Sequence, residues 1–209
     1  MVEFLDPSVS PDWDPRTRVA AIERLLVDAG LVTSERLDDT VDTFTDGKRW
    51  GNGARVVARA WGDDAFRDRL LQDGTAAVEE LGLTMRGGIT SRVSLTVVAD
   101  ATHRRNLLVC TLCSCYPMAL LGPPPRWYKD PAYRSRAVLG PRALLAEMGY
   151  PVPDDVDVRV WDSTAEMRYM VLPLRPCGTE GWSEDALTEL VTRDSLVGAG
   201  QVRNPSEIR

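Results

Sequence analysis

The middle of the chain reads LLVCTLCSCYP, over residues 107–117. Its apolar start is typical of a buried strand, and it leads directly into three cysteines, Cys110, Cys113 and Cys115. The fourth cysteine, Cys177, lies far from them in the chain. Because the disulfide frameworks of secreted proteins spread their cysteines along the sequence, this clustering indicates metal or redox chemistry instead.

Composition excludes several classes of partner. The 209 residues carry a net charge of -6, whereas phosphate binding needs a clustered excess of Lys and Arg. No apolar run approaches the roughly 18 residues of a membrane span, and residues 1–6 lack the basic and apolar signature of a secretory signal. We therefore expect no nucleic acid partner, no membrane partner and a cytoplasmic location.

Helical patterns dominate the first part of the chain. Asp14-Pro15 is typical of a helix start, and Gly30 of a helix end. A second, acidic helix is predicted over residues 34–44, and a longer helical pattern over residues 53–81 ends at Gly82. Because the first two helices are too short to bury much apolar surface alone, they either pack on the later domain or bind a partner chain, and we favour a partner.

Strand patterns follow in the second part. Residues 92–100 and 106–109 are rich in Val and Leu, while residues 155–161 and 166–174 alternate apolar and polar side chains. The last two are predicted to be neighbouring strands joined at residues 162–164. Between the strand pairs lie a rigid loop with three prolines and several helical patterns, over residues 122–125, 131–138 and 141–148, and a last helix is predicted over residues 183–192.

These patterns predict an α+β fold, with an N-terminal helical arm followed by a layered domain of β-sheets flanked by helices. We place the arm and its following helices in residues 1–82. A metal-binding catalytic domain is predicted over residues 83–209.

Two common uses of clustered cysteines fit this sequence incompletely. A structural zinc site needs four ligands, which the three cysteines and the single histidine, His103, would have to supply without a second pair of cysteines. A redox pair of Cys110 and Cys113 needs a thiolate at a helix N-terminus and leaves Cys115 without a role. A non-catalytic, zinc-stabilised interaction domain stays open as one alternative.

A third interpretation uses the backbone as well as the thiols. The amide nitrogens of Ser114 and Cys115 lie between the sulfurs of Cys113 and Cys115, so an ion bound to these four donors would close small fused chelate rings in a plane. Cys110 would reach the ion from below, and the sixth position would be open for a substrate. Because deprotonated amides demand a strongly Lewis-acidic ion, this arrangement favours trivalent cobalt or iron over zinc.

The motif in residues 109–117 resembles the metal-binding signature of nitrile hydratase alpha subunits, which thiocyanate hydrolase gamma subunits share. The resemblance covers about residues 15–202, through matching segments at residues 53–61, 66–71, 127–129, 131–134, 159–163, 168–169 and 192–195. It implies the alpha-subunit fold and hydration of a nitrile to the amide at a non-corrin cobalt(III) centre. Thiocyanate hydrolysis by a gamma-type subunit is the second function it implies.

The resemblance also implies roles for individual residues. Cys110 is the axial thiolate, Cys113 is the sulfur oxidised to a sulfinate, and Cys115 is the sulfur oxidised to a sulfenate. Ser114 and Cys115 supply amide nitrogens to the metal, and Cys115 and Cys113 are the catalytic residues. Thr111 stands where the family's iron enzymes usually have Ser, which favours cobalt(III), with iron(III) as the second choice.

Charge counting points to a partner chain. Three thiolates and two amidates outweigh a trivalent ion, and buried negative charge needs positive partners. The resemblance implies that arginines of a beta subunit supply them, so the expected state is a hetero-oligomer. An activator or metallochaperone protein and a small nitrile substrate complete the expected partners.

The nucleophile is either the sulfenate oxygen of Cys115 or a metal-activated water. We favour the sulfenate, because it would lie beside the open coordination position.

Several positions depart from the family pattern. Met118 replaces the usual Trp, Arg105 the usual His, Ala99-Asp100 the usual Glu-Asn, and Pro123 the usual Leu. Because Met is slimmer and more flexible than Trp, we expect a substrate bulkier than a simple alkyl or aryl nitrile. A cyano-bearing nucleoside such as toyocamycin is one candidate. His103 is predicted to lie in a surface loop, and Cys177 to be a lone thiol.

Overall fold

The computed structural model describes residues 14–37, 49–85, 93–113 and 115–208. Its contacts divide the chain into two compact units, residues 1–43 and residues 44–209. The helices between residues 49 and 80 therefore belong to the same unit as the strands that follow them. The assignment of catalysis to residues 83–209 stays a prediction.

The first unit contains helix α1 (Pro15–Asp28), as its start and end signals predict. Gly30 follows with a positive φ of 67°, which suits a residue that ends a helix. Residues 34–37 are also helical, and the rest of the second predicted helix lies outside the described residues. The α1 side chains of Val19, Ile22 and Leu25 are each more than half exposed. Three of the apolar positions that predicted this helix are therefore exposed.

The predicted helical stretch over residues 53–81 forms three helices, α2 (Arg49–Gly62), α3 (Asp64–Gln72) and α4 (Gly74–Glu80). Asp63 and Asp73 separate them, because each carboxylate accepts a hydrogen bond from a backbone N–H three residues later. This is the usual way in which Asp starts a new helix. Helix α2 is buried on almost all sides, which is typical of a central helix.

Four strands form two parallel pairs. Strand β1 (Ser94–Ala99) pairs with β4 (Met167–Leu172), and β2 (Arg104–Val109) pairs with β3 (Asp157–Asp162). The predicted pairing of the last two strands with each other is therefore wrong. Alternating side chains show that a strand is half buried, but they carry no information on which strand lies beside it.

The strand pairing decides which residues meet at the end of β2. Val109 lies opposite Asp162 in the register of the β2–β3 pair. Cys110 follows Val109 directly, so a carboxylate from the end of β3 lies next to the start of the cysteine-rich segment. The four buried side chains at the end of β2, residues 106–109, fix this end of the strand in the core.

The remaining helices are short. They are α5 (Met118–Leu121), α6 (Arg126–Lys129), α7 (Pro131–Leu139), α8 (Pro141–Glu147) and α9 (Glu184–Leu190), followed by 3₁₀ turns at Ser195–Val197 and Pro205–Glu207. The predicted helices over residues 131–138, 141–148 and 183–192 are confirmed. In the described part of the chain, no helix combines the length and apolar character needed to cross a membrane. The α+β class is confirmed.

The positions that depart from the family pattern at residues 100 and 105 form a local network. Asp100 accepts hydrogen bonds from the backbone and side-chain N–H groups of Asn106, at 2.9 Å each. Burial raises the pKa of Asp100, and these two hydrogen bonds oppose the rise. Arg105 donates to the hydroxyl of Tyr150 at 3.1 Å. This network lies at the start of β2, at the opposite end of the strand from the cysteines.

Gly198 allows the C-terminal segment to pack directly on β2. Its φ of 76° lies in the left-handed region, and a Cβ atom built there would lie 1.7 Å from the carbonyl oxygen of Asn106. That oxygen belongs to the backbone of a buried strand, so it cannot move aside as a flexible side chain would. Gly198 therefore meets two requirements, a positive φ and close backbone contact.

We predict that Gly198→Ala lowers the free energy of unfolding by about 3 kcal/mol or more, because it adds a backbone clash to the cost of a positive φ. Gly181→Ala is the matched control, since Gly181 has a φ of 77° and no heavy atom within 4 Å of the added Cβ. The control should lose only about 1–2 kcal/mol. Urea unfolding of both variants measures the difference, and equal losses would contradict the predicted clash.

Candidate metal centre

The three cysteines that follow strand β2 lie together in one cluster. We call residues 110–115 the cysteine loop. Cys110 is buried, Cys115 is partly buried and Cys113 is exposed. The Cys110 and Cys113 sulfurs lie 3.4 Å apart, the Cys113 and Cys115 sulfurs lie 3.1 Å apart, and all three lie within 4.8 Å of one another. The sequence predicts that these thiols share one site, and the distances between their sulfurs agree with that prediction.

The cluster is made of thiols. Sulfur separations of 3.1 Å and 3.4 Å are far longer than the roughly 2.05 Å of a disulfide bond. Burial, together with hydrogen bonds with the thiols of Cys113 and Cys110, raises the pKa of the Cys115 thiol to about 12. Without a metal, Cys115 therefore holds its proton at neutral pH. An ion that binds there must displace this proton.

Side chains from three other segments hold the backbone of the cysteine loop. Tyr128 donates its hydroxyl proton to the carbonyl oxygen of Cys115 at 2.9 Å. Arg134, in α7, donates to the carbonyl oxygens of Thr111 at 3.4 Å and Cys113 at 3.0 Å. Asp162, at the end of β3, accepts from the backbone N–H of Thr111 at 3.0 Å and from its hydroxyl at 2.5 Å. The loop is thus fixed through its backbone.

A cluster of aromatic side chains lies next to the cysteine loop. The rings of Tyr116 and Tyr128 meet edge to face with centroids 5.0 Å apart, and Trp127 contacts Tyr133 in the same way at 4.8 Å. Burial raises the pKa of Tyr128 well above its usual range. Its hydroxyl is therefore a neutral donor, which suits its hydrogen bond to the Cys115 carbonyl.

Neither simpler interpretation of the cysteines gains support from this geometry. His103 is exposed in the turn before β2, and the six residues of that strand separate it from the cluster by roughly 20 Å at about 3.3 Å per residue. His103 is therefore too far away to be the fourth zinc ligand. Cys110 continues a strand and does not begin a helix, so it lacks the setting that activates a redox thiolate.

The sulfur donors fit a transition-metal ion. Three sulfurs converge, and in the described part of the chain no His, Asp or Glu joins them in a possible metal-binding group. The backbone amide of Cys115 is part of the loop, while Ser114 lies outside the described residues. A soft, all-sulfur set suits transition metals and not Mg²⁺ or Ca²⁺.

The side chains that hold the loop are the part of the site that sequence reasoning missed. Tyr128, Arg134 and Asp162 lie in three of the segments that match the family pattern, but their residue types alone indicated no contact with the cysteines. The match of these segments to the family pattern was the sequence signal that could have pointed to these residues. Their roles became visible only when the parallel pairing of β2 with β3, and the packing of α7, brought them to the loop.

Three other residues differ in how much they are exposed. Cys177 is exposed in a turn and remains a lone thiol, as predicted. Met118 is the first residue of α5 and is partly buried against the core. Leu112, at the tip of the cysteine loop, is 89% exposed. The loop therefore faces outward on one side.

Fold and site together define a class of protein, an α+β chain in which a parallel strand ends in a cluster of three thiols that could hold a metal ion. Residues 13–200 match the family model described as nitrile hydratase, alpha chain. The chain belongs to this family.

Individual relatives agree with the family model. The chain is 48% identical to the low-molecular weight cobalt-containing nitrile hydratase alpha subunit of Rhodococcus rhodochrous, over 91% of this chain and 90% of that protein. It is 46% identical to the cobalt-containing alpha subunit of Pseudonocardia thermophila, over 87% of each. The gamma subunit of thiocyanate hydrolase from Thiobacillus thioparus is 45% identical over 69% of this chain and 63% of that protein.

Solved structures show the same fold. An Fe-type nitrile hydratase double mutant from Comamonas testosteroni superposes with a TM-score of 0.82 at 40% identity, over 91% of both chains. A recombinant thiocyanate hydrolase with partially modified cobalt centres gives a TM-score of 0.83 at 38% identity, over 92% of this chain and 91% of that chain. The family resemblance and the fold that it implied are confirmed.

We predict that Tyr128→Phe loosens the cysteine loop, because the Cys115 carbonyl loses its donor. The loss should lower the free energy of unfolding by about 1–2 kcal/mol and speed the reaction of the cluster's thiols with a thiol reagent. Tyr133→Phe is the control, since it removes a similar buried bond to the carbonyl of Leu108, at 2.7 Å, outside the loop. Equal labelling rates in the two variants would contradict this role of Tyr128.

Proposed function

We propose that this chain is the catalytic, metal-binding subunit of a nitrile hydratase, which adds water to a nitrile to form the amide. The observation that carries the proposal is the convergence of the Cys110, Cys113 and Cys115 sulfurs within 4.8 Å, in a chain that matches the alpha-chain family over residues 13–200. A family match alone would leave open whether the metal-binding residues had been kept.

The proposed ligands are the sulfurs of Cys110, Cys113 and Cys115 and the amide nitrogens of Ser114 and Cys115. Cobalt(III) is our first choice, since relatives described as cobalt-containing are up to 48% identical to this chain. Iron(III) is the second choice, because an Fe-type enzyme shares the fold. A trivalent ion in this site supplies Lewis acidity that polarises the nitrile C≡N bond.

Cys115 is the proposed nucleophile, after oxidation to the sulfenate, and Cys113 is the proposed sulfinate. In the proposed step the sulfenate oxygen of Cys115 forms a bond to the nitrile carbon. The oxygen of a water molecule then bonds to the Cys115 sulfur as the original S–O bond breaks, which restores the sulfenate. The two protons of that water end on the nitrogen of the amide product. The Tyr128 hydrogen bond to the Cys115 carbonyl orients this residue throughout.

This order of bond changes predicts that the sulfenate oxygen of Cys115 is transferred to the amide product. In a single turnover of enzyme whose sulfenate carries heavy-isotope oxygen, the label should appear in the amide, as mass spectrometry of the product would show. An unlabelled amide, with the label kept on Cys115, would instead identify water as the nucleophile.

A beta subunit is the proposed partner, in a cytoplasmic hetero-oligomer whose metal loading an activator protein assists. Two features of the chain support a covering partner. Cys113 and Leu112 are exposed at the cluster, although a low-dielectric site requires that bulk water be kept out and only the reacting water admitted. Helix α1 also presents Val19, Ile22 and Leu25 uncovered, which suits the predicted arm.

Metal analysis and intact mass test the proposal together. Protein produced with its partner and cobalt should contain one cobalt per chain and three added oxygen atoms on the peptide that holds Cys113 and Cys115, two for a sulfinate and one for a sulfenate. Cys115→Ala should lose hydration activity, while Cys177→Ala should keep it. Tetrahedral zinc with unmodified thiols would overturn the proposal.

Thiocyanate hydrolysis is the second candidate function. The similarity to a thiocyanate hydrolase gamma subunit, at 45% identity, favours it. Parallel assays with a nitrile and with thiocyanate separate the two, because both reactions would use the same cluster. Faster turnover of thiocyanate than of any nitrile tested would favour the second function.

A further inference from the structure

Two charged side chains hold the cysteine loop from opposite sides of Thr111. The Asp162 carboxylate accepts both the N–H and the hydroxyl of Thr111, at 3.0 Å and 2.5 Å. The Arg134 guanidinium donates to the Thr111 carbonyl at 3.4 Å and to the Cys113 carbonyl at 3.0 Å. All three polar groups of Thr111 are therefore bonded to an ionised side chain, and such bonds are stronger than neutral ones.

These contacts come from rigid elements. Asp162 ends β3, which pairs with β2 throughout its length. Arg134 lies in α7, whose Tyr133 is buried and bonded to the backbone of β2 at Leu108. Among the described residues, neither Asp162 nor Arg134 takes part in an ion pair like those found elsewhere in the chain, for example between Arg136 and Glu147. Their charges are directed at the loop.

The Cys113 carbonyl has a particular chemical meaning. It belongs to the same peptide group as the Ser114 nitrogen, which is one of the proposed metal ligands. When that nitrogen binds a metal, part of its negative charge is shared with the carbonyl oxygen through amide resonance. A guanidinium 3.0 Å from that oxygen is therefore placed to stabilise the metal-bound form of the loop more than the metal-free form.

We propose that Asp162 and Arg134 are positioning residues that hold Thr111 and the Cys113 carbonyl group in place for metal binding, and that Arg134 also supplies a positive charge to the metal-bound loop. The inference rests on the proposed function. It means that this chain provides part of the positive charge that we had expected from a partner's arginines alone. It also gives Thr111 a role in fixing the loop.

Amide exchange in the metal-free, full-length chain tests the positioning role. Asp162→Ala should speed hydrogen–deuterium exchange in residues 110–115 by about tenfold, the usual effect of losing a charge-assisted hydrogen bond. Asp157→Ala is the matched control, since Asp157 begins the same strand and Asp162 ends it. The control should leave exchange in the loop unchanged, and Thr111→Ser should too, because it keeps all the polar groups.

Cobalt retention tests the charge of Arg134. In protein produced with its partner and cobalt(II) chloride, Arg134→Gln should release cobalt to a chelator about tenfold faster, and Arg134→Lys should restore much of the retention. Arg136→Gln is the control, since it removes a guanidinium from the same helix away from the loop.

The outcomes separate the inference from the proposed function. The charge role of Arg134 is wrong if Arg134→Gln releases cobalt as slowly as Arg136→Gln does. It is also wrong if Arg134→Lys releases cobalt as fast as Arg134→Gln does. Equal loop exchange in the Asp162 and Asp157 variants would overturn the positioning role. If the unaltered protein binds neither cobalt nor iron, the proposed function fails, while the exchange measurement still decides whether the loop is held.

Discussion

The parallel pairing of β2 with β3 is the constraint on which the rest of the site depends. It fixes the buried end of β2, so that Cys110 leaves the core at a defined point. It also brings Asp162 level with Val109, within hydrogen-bonding distance of Thr111. A slip of two residues in this register would keep the faces of both strands but remove the carboxylate from the loop.

The thiols themselves explain why such support is needed. Three sulfurs are held within 4.8 Å of one another, and the pKa of the Cys115 thiol is raised to about 12, so a metal that binds there must displace the proton of Cys115. Hydrogen bonds to the loop's carbonyls and N–H groups fix the backbone without occupying the sulfurs. The three sulfurs remain available for an ion, because these hydrogen bonds do not involve them.

Sequence reasoning reached the chemistry more completely than the topology. The spacing of Cys110, Cys113 and Cys115, and the family segments around them, were enough to predict one cluster and an alpha-subunit fold. The start of the last helix was also predicted, because Ser183 caps it through a local hydrogen bond. The caps at Asp63 and Asp73, which divide the predicted stretch over residues 53–81 into separate helices, were missed although they too act locally. The pairing of β3 with β4 was predicted wrongly, because adjacency in sequence was taken for adjacency in the sheet.

The sequence by itself determined the set of donors and their order along a short loop, since chelation by neighbouring residues depends on covalent spacing. Only the tertiary structure decided which side chains hold that loop. Asp162 lies 51 positions from Thr111 in the chain, and Arg134 lies 21 positions from Cys113. Contacts over such separations arise from strand register and helix packing, which no local pattern of residues records.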